Sequence, residues 1–264
     1  MQLASDKIIA TKDNGIGWMI FNNPERRNAL TLAMREAMAE VFDAYAADPE
    51  VRVLILRGAG GKAFVSGADI SEFKDKRNNP ETDAAYSAVV SRSTKAMAGF
   101  EKPTIALIEG FCVGGGMSMA LACDLRYASD DSEFGIPAAK LGLAYSYSSV
   151  RALSALIGPA YTKEILFTGT RIGAREALEI GLVNGVLPRS ELEERVRSVA
   201  GEIAANAPLT IHAVKAAIEE SYKDESSRDM ERLERLRIAC IESPDFREGR
   251  EAFMEKRKPV FRGR

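Results

Sequence analysis

One histidine, one tryptophan and three cysteines in 264 residues limit the chemistry before any motif is read. Cys112, Cys123 and Cys240 are too few and too scattered for a disulfide framework or for paired zinc ligands, and no metal-ligand set is visible. They are expected to be small buried side chains or ordinary thiols. His212 would have to serve any Ser-His-Asp triad, yet it lies in an amphipathic, helix-favouring segment without a nucleophile-elbow glycine pattern. It is read as structural or solvent-facing. Excess charge is also missing: 36 Lys and Arg against 38 Asp and Glu leave −2. That balance gives no electrostatic case for nucleic acid or an anionic membrane surface. No apolar run reaches transmembrane length, and Met1 to Thr11 lacks a basic start followed by an apolar stretch. The expected location is the cytoplasm.

What is present is ordinary apolar material in amounts that can fill a large core, 46% of residues. Ile16 to Phe21 alternates as a strand and breaks at Asn22-Asn23-Pro24. Leu30, Met34, Met38, Val41, Phe42 and Tyr45 then recur at helical spacing, with Asn28 or Thr31 available as the cap. Val51 to Leu56 predicts a second strand. Lys62 to Ile70 reads as a loop that turns at Ser66-Gly67, Lys74 to Thr82 as a polar surface loop, and Ser87 to Phe100 as a helix. Thr104 to Ile108 and Leu125 to Ala128 predict further strands, in an order that suggests layered parallel strands with helices outside them. Beyond Gly142 the pattern is mostly helical over Ser148 to Ile157, Ala160 to Phe167 and Ala174 to Ile180, with a last strand at Val183 to Leu187. From Glu191 the sequence is charged and amphipathic, and its apolar stripes need a partner.

Between two of these strands lies Gly110 to Asp124, in which Gly114, Gly115 and Gly116 join an apolar strand to a helix of small and apolar residues. Glycines at such a junction permit a sharp turn and close approach, and the first helical N–H groups have no partner inside the helix. Those donors, with the helix dipole behind them, suit a negative charge. Tight strand-to-helix packing alone would also demand glycine. A phosphate-binding P-loop is excluded because Gly116 is followed by Met117-Ser118, with no lysine. A dinucleotide fingerprint is excluded because Met119 stands where its third glycine belongs.

Several signatures in order resemble the crotonase superfamily, the enoyl-CoA hydratase/isomerase family. They are Asn23-Pro24 with Arg27-Asn28-Ala29-Leu30, Ala63 to Ile70, Gly110 to Asp124, Phe134-Gly135-Ile136-Pro137 with Leu141-Gly142-Leu143, Gly169 with Ala174, Ala177 and Gly181-Leu182-Val183, and Glu255-Lys256-Arg257 to Phe261. The resemblance implies an α/β fold, the crotonase (ClpP-like) spiral of ββα turns over 1–190, with a C-terminal helical, oligomer-forming region over 191–264. It implies an acyl-CoA thioester as substrate, coenzyme A carried by that substrate with no separate cofactor, and a homotrimer or homohexamer. By motif position the N–H groups of Ala68 and Gly115 form an oxyanion hole for the thioester oxygen. Arg26 or Arg27 and Lys62, Ala63 and Phe64 fall along the CoA groove. Lys256 or Lys258 is the basic residue for its phosphates. Gly67, Asp69, Ile70, Gly114, Gly116, Pro137 and Ala138 complete the implied substrate-binding set.

The sequence departs from the family where hydratases carry two glutamates to place and activate water. Those positions are Ser118 and Ala138. Ser118, Tyr145, Ser146, Tyr147, Asp69 and Glu109 remain as polar groups in reach, with Asp69 and Asp124 also readable as helix caps. Tyr145 is similar in place to a tyrosine of the methylmalonyl-CoA decarboxylase branch, which also lacks the paired glutamates. The implied function is thus an acyl-CoA lyase of fatty-acid or related metabolism, nominally hydrating 2-enoyl-CoA, with Tyr145 and Ser118 as catalytic side chains. Decarboxylation of a malonyl-type acyl-CoA and non-catalytic acyl-CoA binding are the alternatives.

Overall fold

The computed structural model describes residues 2–72, 76 and 78–263. In chain order its elements begin β1 (Ile8–Asp13), β2 (Ile16–Phe21), α1 (Leu32–Ala47), β3 (Val53–Gly58), β4 (Ala63–Val65), α2 (Pro80–Ala98), β5 (Thr104–Ile108), β6 (Phe111–Val113) and α3 (Gly115–Ala122). They continue with β7 (Leu125–Ser129), β8 (Glu133–Gly135), α4 (Tyr147–Thr168), β9 (Arg171–Gly173), α5 (Ala174–Glu179), β10 (Gly185–Leu187), α6 (Arg189–Ala205), α7 (Pro208–Ser221), α8 (Met230–Glu242) and α9 (Pro244–Glu255).

The apolar runs build the larger sheet, in the order β1-β2-β3-β5-β7-β10. Only β1 pairs antiparallel with its neighbour; the others run parallel. Their near-continuous apolar character follows from burial on both faces. Leu54, Leu56, Ala106 and Ile108 face a core shared with Met34, Met38 and Phe42 of α1. Val53, Ile55, Ile105 and Leu107 face Leu192, Val196 and Ala200 of α6 on the opposite side.

A second sheet, β4-β6-β8-β9, is made of three-residue strands. Each of β4, β6 and β8 follows a strand of the larger sheet, and a helical segment comes next. The repeated pair of strands and helix is the spiral that the family resemblance implies. The stretch read as a loop over 62–70 therefore contains β4, whose three residues are too few to show a strand period. Val183–Leu187 narrows to β10. The two helices expected over 148–157 and 160–167 are both present within the span labelled α4, separated by the non-helical backbone of Gly158 (φ 74°, ψ 168°) ahead of Pro159.

The loop expected over 74–82 lies partly outside the described residues, but its end is helical. Asn79 accepts from Thr82 N at 3.0 Å and Thr82 Oγ1 accepts from Asn79 N at 3.3 Å, so α2 starts at Pro80 with a capping box rather than at 87. At the C-terminus α7, α8 and α9 enclose an apolar cleft of about 860 Å³ lined by Leu209, Val214, Met230, Leu233, Phe246 and Phe253. Among the described residues no helix is long and apolar enough to cross a membrane.

Thr31 caps α1, accepting from Met34 N at 3.2 Å. Asn28 is fully buried and has a different task. Its oxygen accepts from Asn23 N at 2.9 Å, and its amide nitrogen donates to the carbonyls of Ala59 at 3.0 Å and Ala63 at 2.7 Å. It thereby ties the turn before α1 to both ends of the β3–β4 connection. Asn28→Asp keeps the shape but turns the donor into an acceptor against two carbonyls. Chemical denaturation at pH 7 should show a loss of roughly 3 kcal/mol, the scale of a buried unpaired polar or charged group. The new carboxyl's folded pKa would be raised, so the deficit should shrink below its unfolded value and grow as pH rises through the folded one.

Candidate active site

The start of α3 is set by glycine sterics. Gly114 holds φ 56° and ψ −115°, a backbone conformation that side chains disfavour. At Gly116 a Cβ would fall 1.9 Å from the carbonyl oxygen of Val65, so the first turn of α3 lies directly on β4. This contact brings Gly115 beside the residues that follow β4. A Cβ on Gly115 would sit 3.4 Å from Gly67 Cα and 3.6 Å from Ala68 N.

The segment carrying Ala68 is held from its other side. Gly67 has φ 114°. Leu30 N donates to Gly67 O and Asp69 N to Leu30 O, both at 2.9 Å, so the intervening Ala68 N–H points away from this pairing. Ser66 N reaches Arg27 O at 3.2 Å and Ser66 Oγ reaches Arg26 O at 3.3 Å. Asp69 accepts from Ser71 N at 3.0 Å and Ser71 Oγ at 2.6 Å, with the Arg26 guanidinium at 3.5 Å. Among the described residues neither Ala68 N nor Gly115 N donates to a protein acceptor. Two neighbouring free N–H groups, one at the positive end of α3, are suited to a single developing oxyanion.

The side chains beside the helix start are hydroxyls. Ser118 Oγ and Tyr145 Oη are hydrogen-bonded, and Tyr145 Oη donates to the Gly114 carbonyl at 3.0 Å. Burial pushes the phenol above its ordinary pKa, outweighing the opposite effect of Ser118, so the phenol is neutral at neutral pH. Ser149 Oγ, in the first turn of α4, donates to Ser118 Oγ at 3.3 Å. Ala138, on the turn Pro137–Leu141, is half-buried against the core. Of the other polar residues considered, Asp69 is spent on its turn. Glu109 is paired with Arg57 at 3.1 Å and Arg189 at 3.8 Å, at the opposite end of β6 from Gly114. Tyr147 is 81% exposed.

The residues expected along the CoA groove are distributed unevenly. Arg27 and Lys62 line a cleft of about 360 Å³ with Phe111, Asp131 and Arg189, and the Arg27 guanidinium lies 5.1 Å from the Phe111 ring centre. Ala63 and Phe64 are buried on β4, Phe64 edge-on to Phe21. Ile70 is 72% exposed. Lys258 lies in the exposed tail that follows α9, where Arg257 is paired with Glu248; its described contact is with Arg257, not with the glycine site.

Sequence reading missed the residue that fixes the far end of α3. Arg126 is 6% exposed and donates to Cys123 O at 2.6 Å, Ala120 O at 3.3 Å and Leu182 O at 2.9 Å. A cation on the last carbonyls complements the helix dipole. Nothing in a lone arginine two residues after an aspartate signals this. Asp124, read as a cap, instead accepts from Thr104 N at 2.7 Å and Lys215 at 3.0 Å, joining β5 to α7.

A family model described as enoyl-CoA hydratase/isomerase matches residues 11–264. The chain belongs to the enoyl-CoA hydratase/isomerase family. It is 35% identical over 262 residues to a crotonyl-CoA hydratase of Syntrophomonas wolfei, covering 98% of this chain and 99% of that one. Identity to a short-chain-enoyl-CoA hydratase of Clostridium acetobutylicum is 34%, over 96% of both chains. A crystal structure of an enoyl-CoA hydratase/carnithine racemase from Magnetospirillum magneticum superposes with a TM-score of 0.92 at 37% identity, over 98% of this chain and 97% of that one. The α/β crotonase fold is thus that of the family.

For this family member the decisive packing contact is Gly116 on Val65. Gly116→Ala should force α3 and β4 apart and separate the Gly115 and Ala68 N–H groups. Thermal unfolding should show a loss of about 1–3 kcal/mol, and titration with butyryl-CoA should show weakened binding. Wild-type stability and affinity in that variant would contradict the described contact.

Proposed function

We propose that the protein is an acyl-CoA enzyme that stabilises a thioester enolate between the N–H groups of Ala68 and Gly115. The observation that supports this is the pair of free donors on adjoining segments, each held by its own backbone contacts. One such donor is worth roughly 3 kcal/mol of barrier. Because both are main-chain groups, truncating Ser118 or Tyr145 leaves them in place. Coenzyme A arrives as part of the substrate on this reading, and no cofactor of the protein's own is invoked.

The hydratase names of the relatives make hydration of a 2-enoyl-CoA the nominal reaction. Hydration needs a group that takes a proton from water, and Ser118 with Ala138 supplies no carboxylate for it. A neutral hydroxyl is a weak base. The hydrogen-bonded Ser118–Tyr145 pair therefore favours a second reading, decarboxylation of a malonyl-type acyl-CoA. There the bond between the α-carbon and the carboxylate breaks, carbon dioxide leaves, the electron pair becomes the enolate held in the hole, and a proton from water then adds to the α-carbon, leaving hydroxide that the released carbon dioxide takes up as bicarbonate. No base is required, and Tyr145 is the partly buried phenol that this reading places beside the hole.

The exposed apolar cleft between α7, α8 and α9 supports self-association as a homotrimer or homohexamer. Phe253, 85% exposed on α9, is a large aromatic side chain left in water at this cleft. Sedimentation velocity should report three or six copies, and Phe253→Asp should lower that number. A monomer at micromolar concentration would refute this assembly.

The reaction is tested on a panel of thioesters. Crotonyl-CoA should turn over slowly, whereas malonyl-CoA and methylmalonyl-CoA should release carbon dioxide. A kcat/KM for crotonyl-CoA near 10⁷ to 10⁸ M⁻¹s⁻¹, the range of efficient enzymes, would overturn the argument from the missing carboxylates. Tight binding with no turnover across the panel would identify a non-catalytic acyl-CoA binder instead.

A further inference from the structure

We infer that Tyr145 is a positioning residue that acts through the Gly114–Gly115 peptide, a chain of hydroxyls strengthening the oxyanion-hole donor from behind. This rests on the oxyanion-hole reading given above. The Gly114 carbonyl and the Gly115 N–H belong to one planar, trans peptide unit, so they point in opposite directions. The N–H is turned outward at the start of α3. The carbonyl is turned inward, where it accepts from Ser118 N at 3.1 Å and from Tyr145 Oη at 3.0 Å. A phenol proton on the carbonyl draws electron density toward that oxygen and makes the N–H of the same amide a stronger donor.

The donors behind Tyr145 all point the same way. With the phenol proton committed to Gly114, Ser118 is the donor in its bond to Tyr145. Ser149 Oγ donates to Ser118 Oγ at 3.3 Å, and Ser146 Oγ donates to Ser149 Oγ at 2.9 Å. Ser146 also caps α4, accepting from Ser149 N at 3.3 Å. The series Ser146, Ser149, Ser118, Tyr145 thus runs from the capped end of α4 to the carbonyl behind the hole, and each bond in it polarises the next. This arrangement gives a task to Ser118, whose hydroxyl is unsuited to be a base, and to Ser149, which no motif singled out.

The test is isotope-edited infrared spectroscopy of butyryl-CoA labelled with ¹³C at the thioester carbonyl, a saturated ligand that undergoes neither hydration nor decarboxylation. In the wild-type protein the carbonyl band should move to lower frequency on binding. In Tyr145→Phe that displacement should shrink by about 10–30%, the scale of one cooperative hydrogen bond, and in Ser149→Ala by less. Tyr147→Phe, one position outside the series, should match the wild type. Replacement of Tyr145 by 3-fluorotyrosine keeps the packing and makes the phenol a stronger donor, so the displacement should increase, a change that a purely structural role would not produce. Steady-state kinetics should show Tyr145→Phe lowering kcat with KM little changed. A band displacement that is the same in wild type, Tyr145→Phe and the fluorotyrosine protein overturns the inference while leaving the hole intact. No displacement in the wild type overturns the hole itself.

Discussion

Backbone-to-backbone contact between Gly116 and Val65 is the constraint on which the site depends. With no side chain at 116, the first turn of α3 rests against the carbonyl of β4, and two N–H groups from segments nearly fifty residues apart become neighbours. Both partners are anchored beyond the contact. Arg126 holds the carbonyl end of α3, and the Arg26–Leu30 turn holds the segment that carries Ala68 through main-chain bonds. An oxyanion hole must not relax when charge develops, because donors that reorganise return part of the stabilisation. On the proposed reading of the Ala68 and Gly115 donors, the fold provides that stiffness through sheet pairing and close packing rather than through side chains in the site.

What was legible in the sequence follows the same division. The strands of the larger sheet were readable because burial on both faces produces unbroken apolar runs such as Val53 to Leu56. α1 was readable because its apolar face repeats at helical spacing. The glycine junction was legible as a place of close approach and free donors, and the signatures around it named the family. The three-residue strands were not readable, since β4, β6, β8 and β9 are shorter than any period that could betray them. The start of α2 was missed because Asn79-Pro80 reads equally well as a loop and as a cap followed by a first helical proline.

The polar support of the site was harder to see for a different reason. Arg26 and Arg27 look like ligand-binding cations, yet their carbonyls, which every residue possesses, hold Ser66. Asn28 looks like a cap, yet its amide spans two carbonyls thirty or more residues away. Arg126 and Ser149 carry no local signal at all. Long-range side-chain to main-chain bonds leave no periodicity, so only the folded chain shows which of many polar residues are committed and which are free.

That distinction bears on the chemistry. A carboxylate placed beside an enolate opposes it: two like charges 4 Å apart repel by about 4 kcal/mol at the effective dielectric of a protein surface. This is comparable to what one oxyanion-hole donor contributes. Hydratases accept that repulsion because water must be activated. On the proposed reading, a site with Ser118 and Tyr145 beside the donors escapes it, and if the reaction is decarboxylation it also escapes repelling a substrate that arrives with its own carboxylate. The hydroxyl series carries no net charge, so it can reinforce the Gly115 donor without creating a second anion. On the decarboxylation reading, Ser118 and Ala138 at the positions where the family resemblance implies carboxylates are coherent as a change of reaction rather than as simple loss, with the same backbone donors serving an enolate generated by departure of carbon dioxide.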